Sequence, residues 1–345
     1  MTNEAGHRYG LLLPQFGAHA SRDRLLGGAR AAEAYGFDSV WVRDHLVYRP
    51  HSFDDPDRTH LEPFVTLAAV AGATNRLILG TACLIPHRHP IHTALSLSSL
   101  EAVAGPGRVI AGCGAGFMDH EFSAVGLGGI KRGRLVREQV EIMRRLWTGV
   151  PATYEGSVYS FRDVDIHPPP SSNGAIPIWY CGESELSVRR AAAYADGWMP
   201  GRITLKSFRK HVELLRQLSE ERGRAMPALA AMPLVSPGAT REAALAAVPW
   251  REMMRAEFAG GQFDLPDSGA WETPADLDGA LIAGPAADII EVAHRYHEAG
   301  LDHLVFDLRA RFVDWDECLA SLGEEVLPEL RASDAASPRM VGAPR

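Results

Sequence analysis

The residues best suited to chemistry in this chain stand directly after short apolar runs. The run "DSVWV" (38–42) leads without a turn into Arg43, Asp44 and His45. An imidazole with an unperturbed pKa of about 6.5 can donate, accept or carry a proton near neutral pH, and an adjacent carboxylate can set its orientation or pKa. We therefore predict that His45 and Asp44 are catalytic residues. The alternative interpretation is a loop that contains a histidine for structural reasons.

Two glycine-containing stretches are candidates for holding a cofactor. The stretch "GCGAGF" (112–117) has the spacing G-x-G-x-G, which is only a weak signal of dinucleotide binding. A better interpretation is a strand end without bulky side chains, against which a flat ring can lie. In "CGESELS" (181–187) a strand stops at Gly182 and a helix begins, so backbone N–H groups and the hydroxyls of Ser184 and Ser187 converge where a phosphate would bind. A simple helix cap by Ser184 would explain the same residues.

A loop rich in imidazoles raises the question of a metal. The stretch "HRHPIHT" contains His87, His89 and His92. Metal-dependent hydrolases built on a barrel carry H-x-H at the end of the first strand, whereas here the first strand ends in "PQFG" and the histidines follow the third. We predict no metal site and a loop that touches substrate or cofactor. A metal-dependent hydrolase is kept as the alternative of another class.

Composition and charge restrict the class of protein. The chain has 345 residues, 46% of them hydrophobic, so it can bury a large core. Its formal net charge of −8 gives no general attraction to nucleic acid or to an anionic membrane. No apolar run approaches the roughly 20 residues that span a bilayer, and the N-terminus shows no apolar signal core. We expect a cytoplasmic protein. Four scattered cysteines without a C-x-x-C pair indicate neither a disulfide framework nor a zinc ribbon.

Apolar runs of strand length alternate with stretches of helical spacing along the chain. This pattern predicts a parallel sheet covered by helices, and eight such units predict an α/β protein with a closed (β/α)₈ TIM barrel. A doubly wound open sheet is the alternative. In a barrel the carboxyl ends of the strands meet at one face, so the residues after each run would converge there. The predicted strands are 9–15, 38–42, 77–83, 108–114, 176–182, 197–201, 228–235 and 303–308.

Two segments interrupt this repeat. Residues 149–175 have the alternation and turn residues of a short hairpin followed by a loop, and residues 236–282 mix proline, glycine and amphipathic pieces without a clear strand. We expect both to be insertions over the mouth of the barrel that contact substrate or form a lid. Residues 1–332 are predicted to form a single domain, and 333–345 a disordered tail.

Taken in chain order, several motifs resemble the bacterial luciferase-like superfamily of flavin- and deazaflavin-dependent oxidoreductases. The resemblance covers about residues 9–310 and depends on the ordered set, since no single motif would be enough. The motifs are "LLLPQFG", "AEAYGFDSVWVRDHL", "EPFVTLAAVAGATNRLILGTACLIPHRHP", "GRVIAGCGAGFMDHEFSAVGL", "RLVREQVEIMRRLW" and "IPIWYCGESELSVRRAAAYADGWMPG".

The resemblance implies a barrel that binds reduced FMN or the deazaflavin coenzyme F420 at its mouth. It places the catalytic histidine at His45, a non-prolyl cis peptide that supports the cofactor ring at Ala82 and Cys83, and the phosphate turn at 182–187. The residues that we predict to bind the cofactor are Gln15, Ala82, Cys83, Gly114, Ala115, Gly116, Gly182, Glu183, Ser184 and Ser187.

Two reactions are compatible with this family. The favoured one is F420-dependent hydride transfer to or from a small organic substrate. The alternative is a two-component monooxygenase that receives reduced FMN from a separate reductase and inserts oxygen, and a non-catalytic cofactor-binding relative is also left open. Phe117 stands where some deazaflavin-dependent dehydrogenases place a glutamate acid, which makes a sugar-phosphate dehydrogenase reaction doubtful. We expect a homodimer.

Overall fold

Eight parallel strands close into a barrel in the computed structural model, which describes residues 6–171, 176–258 and 264–336. Around the barrel the strands follow one another in chain order, each paired in parallel with its neighbours. The predicted TIM barrel is therefore confirmed. The barrel strands are β1 (Arg8–Leu12), β2 (Ser39–Val42), β3 (Ile78–Thr81), β4 (Val109–Cys113), β7 (Ile178–Cys181), β8 (Gly197–Met199), β9 (Ala228–Ala231) and β12 (His303–Phe306).

Helices connect the strands, and the first shows how local sequence sets their bounds. The hydroxyl of Ser21 accepts a hydrogen bond from the N–H of Arg24, and Gly36 ends the helix in the left-handed conformation at φ 90°. In the described ranges no helix is both long enough and apolar enough to cross a membrane. The helices are α1 (Arg22–Tyr35), α2 (Pro63–Ala71), α3 (Pro90–Ala104), α4 (Asp119–Ala124), α5 (Arg132–Leu146), α6 (Glu185–Tyr194), α7 (Leu205–Glu221), α8 (Arg241–Ala246), α9 (Trp250–Met253), α10 (Ala286–Glu298), α11 (Trp315–Ser321) and α12 (Leu327–Ala336).

The first insertion contains the hairpin that the sequence predicts. Strands β5 (Ala152–Glu155) and β6 (Ser160–Val164) pair in antiparallel fashion. Residues 172–175 of the following loop lie outside the described residues. At the other end of the chain, α12 continues to Ala336, past residue 332 where we predicted the tail to begin. The rest of that predicted tail also lies outside the described residues.

The second insertion contains a strand that the sequence pattern did not reveal. Strand β10 (Leu234–Pro237) pairs in parallel with β11 (Leu281–Gly284) in a small sheet beside the barrel. The run 228–235, predicted as one strand, is divided between β9 and β10. Pro233 lies at the division, and its missing N–H explains why one continuous ladder does not form there.

Tryptophans from two strands fill the interior of the barrel, and glycines on neighbouring strands make room for them. The rings of Trp41 and Trp179 lie 5.4 Å apart. A Cβ atom at Gly80 would stand 2.2 Å from a ring carbon of Trp41, and one at Gly197 would stand 2.5 Å from Trp179. The indole N–H of Trp41 donates to the hydroxyl of Ser39 at 2.8 Å. This layer forms the floor beneath the candidate site.

Replacing Gly80 with alanine is expected to lower the free energy of unfolding by about 1 to 3 kcal/mol, because extra atoms would be forced into a well-packed core. Gly27 is the matched control, since it lies in α1 with open space around its Cβ position. Gly27→Ala is expected to raise the free energy of unfolding by about 0.5 to 1 kcal/mol. Chemical unfolding of both variants measures the two effects. A Gly80→Ala protein as stable as the parent would contradict the packing of Trp41.

Candidate active site

Glu121 on α4 holds His45 at the mouth of the barrel. One carboxylate oxygen of Glu121 lies 3.2 Å from Nδ1 of His45, and the other accepts hydrogen bonds from the N–H groups of Leu46 (2.7 Å) and Val47 (3.0 Å). The side chain of His45 is 6% exposed and that of Glu121 is 2% exposed. A single carboxylate therefore fixes both the imidazole and the backbone that follows it.

Arg43 contacts the other nitrogen of the same imidazole. A guanidinium N–H of Arg43 donates to Nε2 of His45 at 3.2 Å, because arginine can only donate. Nε2 must then carry the lone pair, so Nδ1 carries the proton that it donates to Glu121. Both hydrogen bonds fit the neutral Nδ1–H form of His45.

The electrostatics of the pair support this assignment of the protons. Burial lowers the pKa of His45; the hydrogen bond to Glu121 opposes this shift and the charge of Arg43 adds to it. Burial by itself would raise the pKa of Glu121, but the hydrogen bonds from His45, Val47 and Leu46 lower it to about 2. The arrangement is an ionised carboxylate behind a neutral imidazole, which is the composition of a general base with its orienting group.

Asp44 makes no hydrogen bond to His45, and of the two effects expected from the sequence only an influence of its charge on the pKa of His45 is present. Its carboxylate accepts hydrogen bonds from the N–H of Ile85 at 3.0 Å and from the guanidinium of Arg88 at 2.8 Å. Just beyond the end of β2 the side chain of Arg43 packs on Phe16 and Tyr48, whereas that of Asp44 contacts the loop after β3. Asp44 thus anchors the loop after β3. Glu121 orients His45, which is the role that we predicted for Asp44.

Arg43 is a buried cation packed on aromatic rings. Its guanidinium carbon lies 4.8 Å from the ring centroid of Phe16 and 5.9 Å from that of Tyr48. The residue is 7% exposed. Burial, and next the charge of Arg309, lowers the pKa of Arg43 to about 10. Arg43 therefore stays charged near neutral pH and opposes protonation of His45.

His60 completes the ring cluster around His45, and no sequence motif pointed to this residue. Its ring centroid lies 5.4 Å from that of His45 and 5.3 Å from that of Tyr48. Burial lowers the pKa of His60 to about 3, so the ring is neutral and acts as a wall. The residue stands in a loop between β2 and α2, where no periodicity indicates which way a side chain points.

The ends of β3 and β4 form a surface with few side chains. The peptide bond between Ala82 and Cys83 is cis, as the family resemblance predicts. A Cβ atom at Gly114 would stand 2.2 Å from Sγ of Cys83, and one at Gly116 would stand 2.8 Å from Ile85. Only glycine fits at these two positions, and Ala115 lies between them. The structure thus brings together the predicted residues of the ring-binding surface, and their small size fits a flat ring.

The turn after β7 brings the predicted phosphate-binding hydroxyls together. The hydroxyl oxygens of Ser184 and Ser187 lie 3.0 Å apart at the start of α6, where helix N–H groups have no partner within the helix. A Cβ atom at Gly182 would collide with the hydroxyl of Ser187 at 2.5 Å. The carboxylate of Glu183 accepts the N–H of Gly201 at 3.0 Å, so only its backbone N–H suits a phosphate.

Gln15 is a support for the site rather than an open cofactor ligand. Its side-chain N–H groups donate to the carbonyls of Arg43 (3.0 Å) and Leu61 (2.8 Å), and its carbonyl accepts the N–H of Arg43. The amide is fully buried. Gln15, which we predicted to bind cofactor, instead holds the end of β2 that carries Arg43 and His45.

The histidines of the H-x-H loop have separate roles. Nε2 of His87 lies 3.1 Å from Arg88, whereas the ring of His89 accepts the N–H of Ile91 at the start of α3. In the described part of the chain, one group of three possible metal ligands has its atoms within 4.8 Å of one another, and it comprises His7, His297 and Asp334. His7 precedes β1, at the end of the barrel away from the mouth. This geometry does not favour a metal-dependent hydrolase at the mouth.

Comparisons with known proteins agree with the fold. The chain is 30% identical over 340 residues to an F420-dependent glucose-6-phosphate dehydrogenase of Nakamurella multipartita, a match that covers 92% of this chain and 97% of the relative. Among solved structures, an F420-dependent secondary alcohol dehydrogenase in complex with an F420–acetone adduct superimposes with a TM-score of 0.77 at 20% identity, over 94% of this chain and 99% of that one.

An FMN-binding protein has the same fold. The oxygenating constituent of 3,6-diketocamphane monooxygenase from Pseudomonas putida, in complex with FMN, superimposes with a TM-score of 0.75 at 20% identity, over 94% of this chain and 99% of that one. The family model described as luciferase-like monooxygenase matches residues 7–303. The resemblance inferred from the motifs is confirmed, and the chain belongs to the luciferase-like monooxygenase family.

Proposed function

We propose that this protein is an F420-dependent oxidoreductase that transfers hydride to or from a small organic substrate, with His45 moving the substrate proton. The observation that carries the proposal is the buried pair of ionised Glu121 and neutral His45 at the barrel mouth. The small residues Ala82, Cys83 and Gly114 at the ends of β3 and β4 would support a flat cofactor ring.

Family membership makes the chain an oxidoreductase of the flavin- or deazaflavin-dependent class. F420 is favoured because the relative matched over nearly its whole length is F420-dependent. The FMN-dependent monooxygenase with a separate reductase is the less favoured alternative. Use of a separate F420 or flavin reductase and assembly into a homodimer, both expected from the sequence, stay predictions.

The residues of the site divide into three groups: those that would support the cofactor ring, those that would hold its phosphate, and His45 with Glu121, which would move the proton. Ala82, Cys83 and Gly114 would support the ring, and the turn with Ser184 and Ser187 would hold the phosphate. When bound, the deazaflavin supplies the site that accepts or donates hydride.

His45 is suited to the accompanying proton transfer. In the direction of alcohol oxidation, the hydroxyl of the substrate replaces Arg43 at Nε2 of His45 and gives its proton to that nitrogen. Glu121 then stabilises the imidazolium that forms. In the direction of carbonyl reduction the imidazolium returns the proton to the substrate oxygen.

The phosphate turn is tested by a double variant, Ser184→Ala with Ser187→Ala. Loss of two hydroxyl donors is expected to weaken F420 binding by about 1 to 3 kcal/mol, because hydrogen bonds to charged groups contribute at this level. Fluorescence titration with F420 measures the affinity, and a parallel titration of the wild type with FMN compares the two cofactors. Ser333→Ala on α12 is the control. Unchanged F420 affinity in the double variant would refute the assignment of the turn, and tighter binding of FMN would favour the monooxygenase.

The role of His45 is tested by His45→Gln in the F420-loaded enzyme. Turnover with a panel of primary and secondary alcohols is expected to fall by about 10² to 10⁴, the range for a general base, while F420 affinity changes little. His89→Gln, which alters a helix cap outside the site, is the matched control. Wild-type turnover in correctly folded His45→Gln would remove His45 from the mechanism.

The protonation state of His45 is open to direct measurement by histidine ring ¹⁵N NMR. We expect the Nδ1–H form with a pKa below 6.5, because burial disfavours the imidazolium. Arg43→Met removes a repelling charge and is expected to raise the pKa of His45, whereas Glu121→Gln removes the stabilising charge and is expected to lower it. His45→Gln identifies the resonances. Shifts of equal sign in the two variants would contradict the proposed pairing.

A further inference from the structure

A cavity of about 190 Å³ opens beside the ring cluster of His45. Its walls come from regions that are far apart in the chain: the loop after β1, the loop after β2, the start of β10, the second insertion and the segment after β12. The insertion contributes Trp250 and Met253, so the segment that we predicted to contact substrate does line a cavity. The aromatic and aliphatic wall residues are Phe16, Tyr48, Phe53, Leu234, Val248, Trp250, Met253, Leu281, Phe312 and Val313.

The cavity adjoins the candidate catalytic histidine through one of its wall residues. Tyr48 belongs to its wall, and the ring centroid of Tyr48 lies 5.3 Å from that of His45. Within the described ranges, none of the residues predicted to bind the cofactor lines it. The predicted cofactor residues and the cavity lining are therefore distinct, and His45 is next to the cavity wall through Tyr48.

The charges around the cavity do not suit an anionic ligand. The basic side chains that line it are His19 and Arg309, and the Nε–H of Arg309 donates to the buried carboxylate of Asp307 at 2.6 Å. The guanidinium of Arg43 packs against two of the wall rings, those of Phe16 and Tyr48, but does not itself line the cavity. Two further carboxylates, Asp54 and Asp55, line the same cavity. A phosphate bound there would be repelled by the two carboxylates. The positive charge of Arg309 is already balanced by Asp307. A desolvated charge without a partner is costly, so an uncharged ligand fits best.

The walls also set the kind of group that binds. Aromatic rings at Phe16, Tyr48 and Trp250 favour a flat or compact apolar body through contact area and ring geometry. In another protein, an apolar cavity of about 150 Å³ accommodates benzene. The volume here has room for one substituted ring.

We propose that the substrate is an uncharged, largely apolar alcohol or carbonyl compound about the size of a substituted ring, bound between Phe16, Tyr48 and Trp250. The oxidoreductase reaction itself rests on the proposed function. The substrate class, in contrast, rests on the walls and charges of this cavity, and phosphorylated sugars are excluded from it. The protein thus differs in substrate from its relative that is a glucose-6-phosphate dehydrogenase.

Binding of four probes to the purified protein, with and without F420, tests this inference. Ligand-observed NMR titration compares benzyl alcohol with benzoate and benzylamine, which keep the ring and add a charge, and with glucose 6-phosphate. We expect saturable binding of benzyl alcohol that is at least tenfold tighter than that of the other three. Equal or tighter binding of benzoate, benzylamine or glucose 6-phosphate would overturn the proposal.

Variants that fill the cavity locate the bound probe. Val248→Phe is expected to weaken benzyl alcohol binding at least tenfold, and Ala310→Phe, at a less buried part of the wall, gives a second test if the first variant unfolds. Val65→Phe on the exposed face of α2 is the matched control and should leave the affinity unchanged. Unchanged affinity in a folded cavity variant would overturn the site. Loss of F420 binding with retained benzyl alcohol binding would count against the proposed function alone.

Discussion

One buried carboxylate, that of Glu121, determines the geometry of the whole candidate site. It joins the helix after β4 to the loop after β2 through the imidazole of His45 and the N–H groups of Leu46 and Val47. A carboxylate buried this deeply is stable in its charged form only because three donors surround it. Its charge in turn favours the proton of His45 on Nδ1, which leaves the lone pair on Nε2. Glu121 therefore sets the position and the tautomer of the imidazole, and it contributes to its proton affinity.

The second constraint is that adjacent side chains just beyond the end of β2 contact different parts of the fold. Arg43 packs on Phe16 and Tyr48, whereas Asp44 contacts the loop after β3. The carboxylate of Asp44 pairs with Arg88 and thereby holds the loop after β3 against the end of β2. Arg43 places a positive charge against Nε2 of His45, and this charge adds to the effect of burial, which lowers the pKa of the imidazole. The floor of tryptophans below and Gln15 at the side keep this strand end in place.

The sequence predicted the barrel well because a buried parallel strand needs a continuous apolar run, and each of the eight runs became a barrel strand. It failed where the deciding contact joins distant segments. Glu121 is 76 residues from His45 and stands in a short helix without strong periodicity, so its role was missed. Asp44 was chosen because it is next to His45 in the chain, although its side chain contacts the loop after β3 rather than the imidazole. The sequence also did not indicate β11. Its partner strand is β10, which begins after the break at Pro233 and was predicted as part of one strand with β9.

We expect cofactor and substrate to occupy separate surfaces, and a crystal structure of the F420 complex tests this expectation. The deazaflavin ring should lie against the Ala82–Cys83 peptide and Gly114, with its phosphate at Ser184 and its reactive carbon facing the space next to Nε2 of His45. A ring seated instead in the aromatic cavity lined by Trp250, with the glycine surface uncovered, would contradict it.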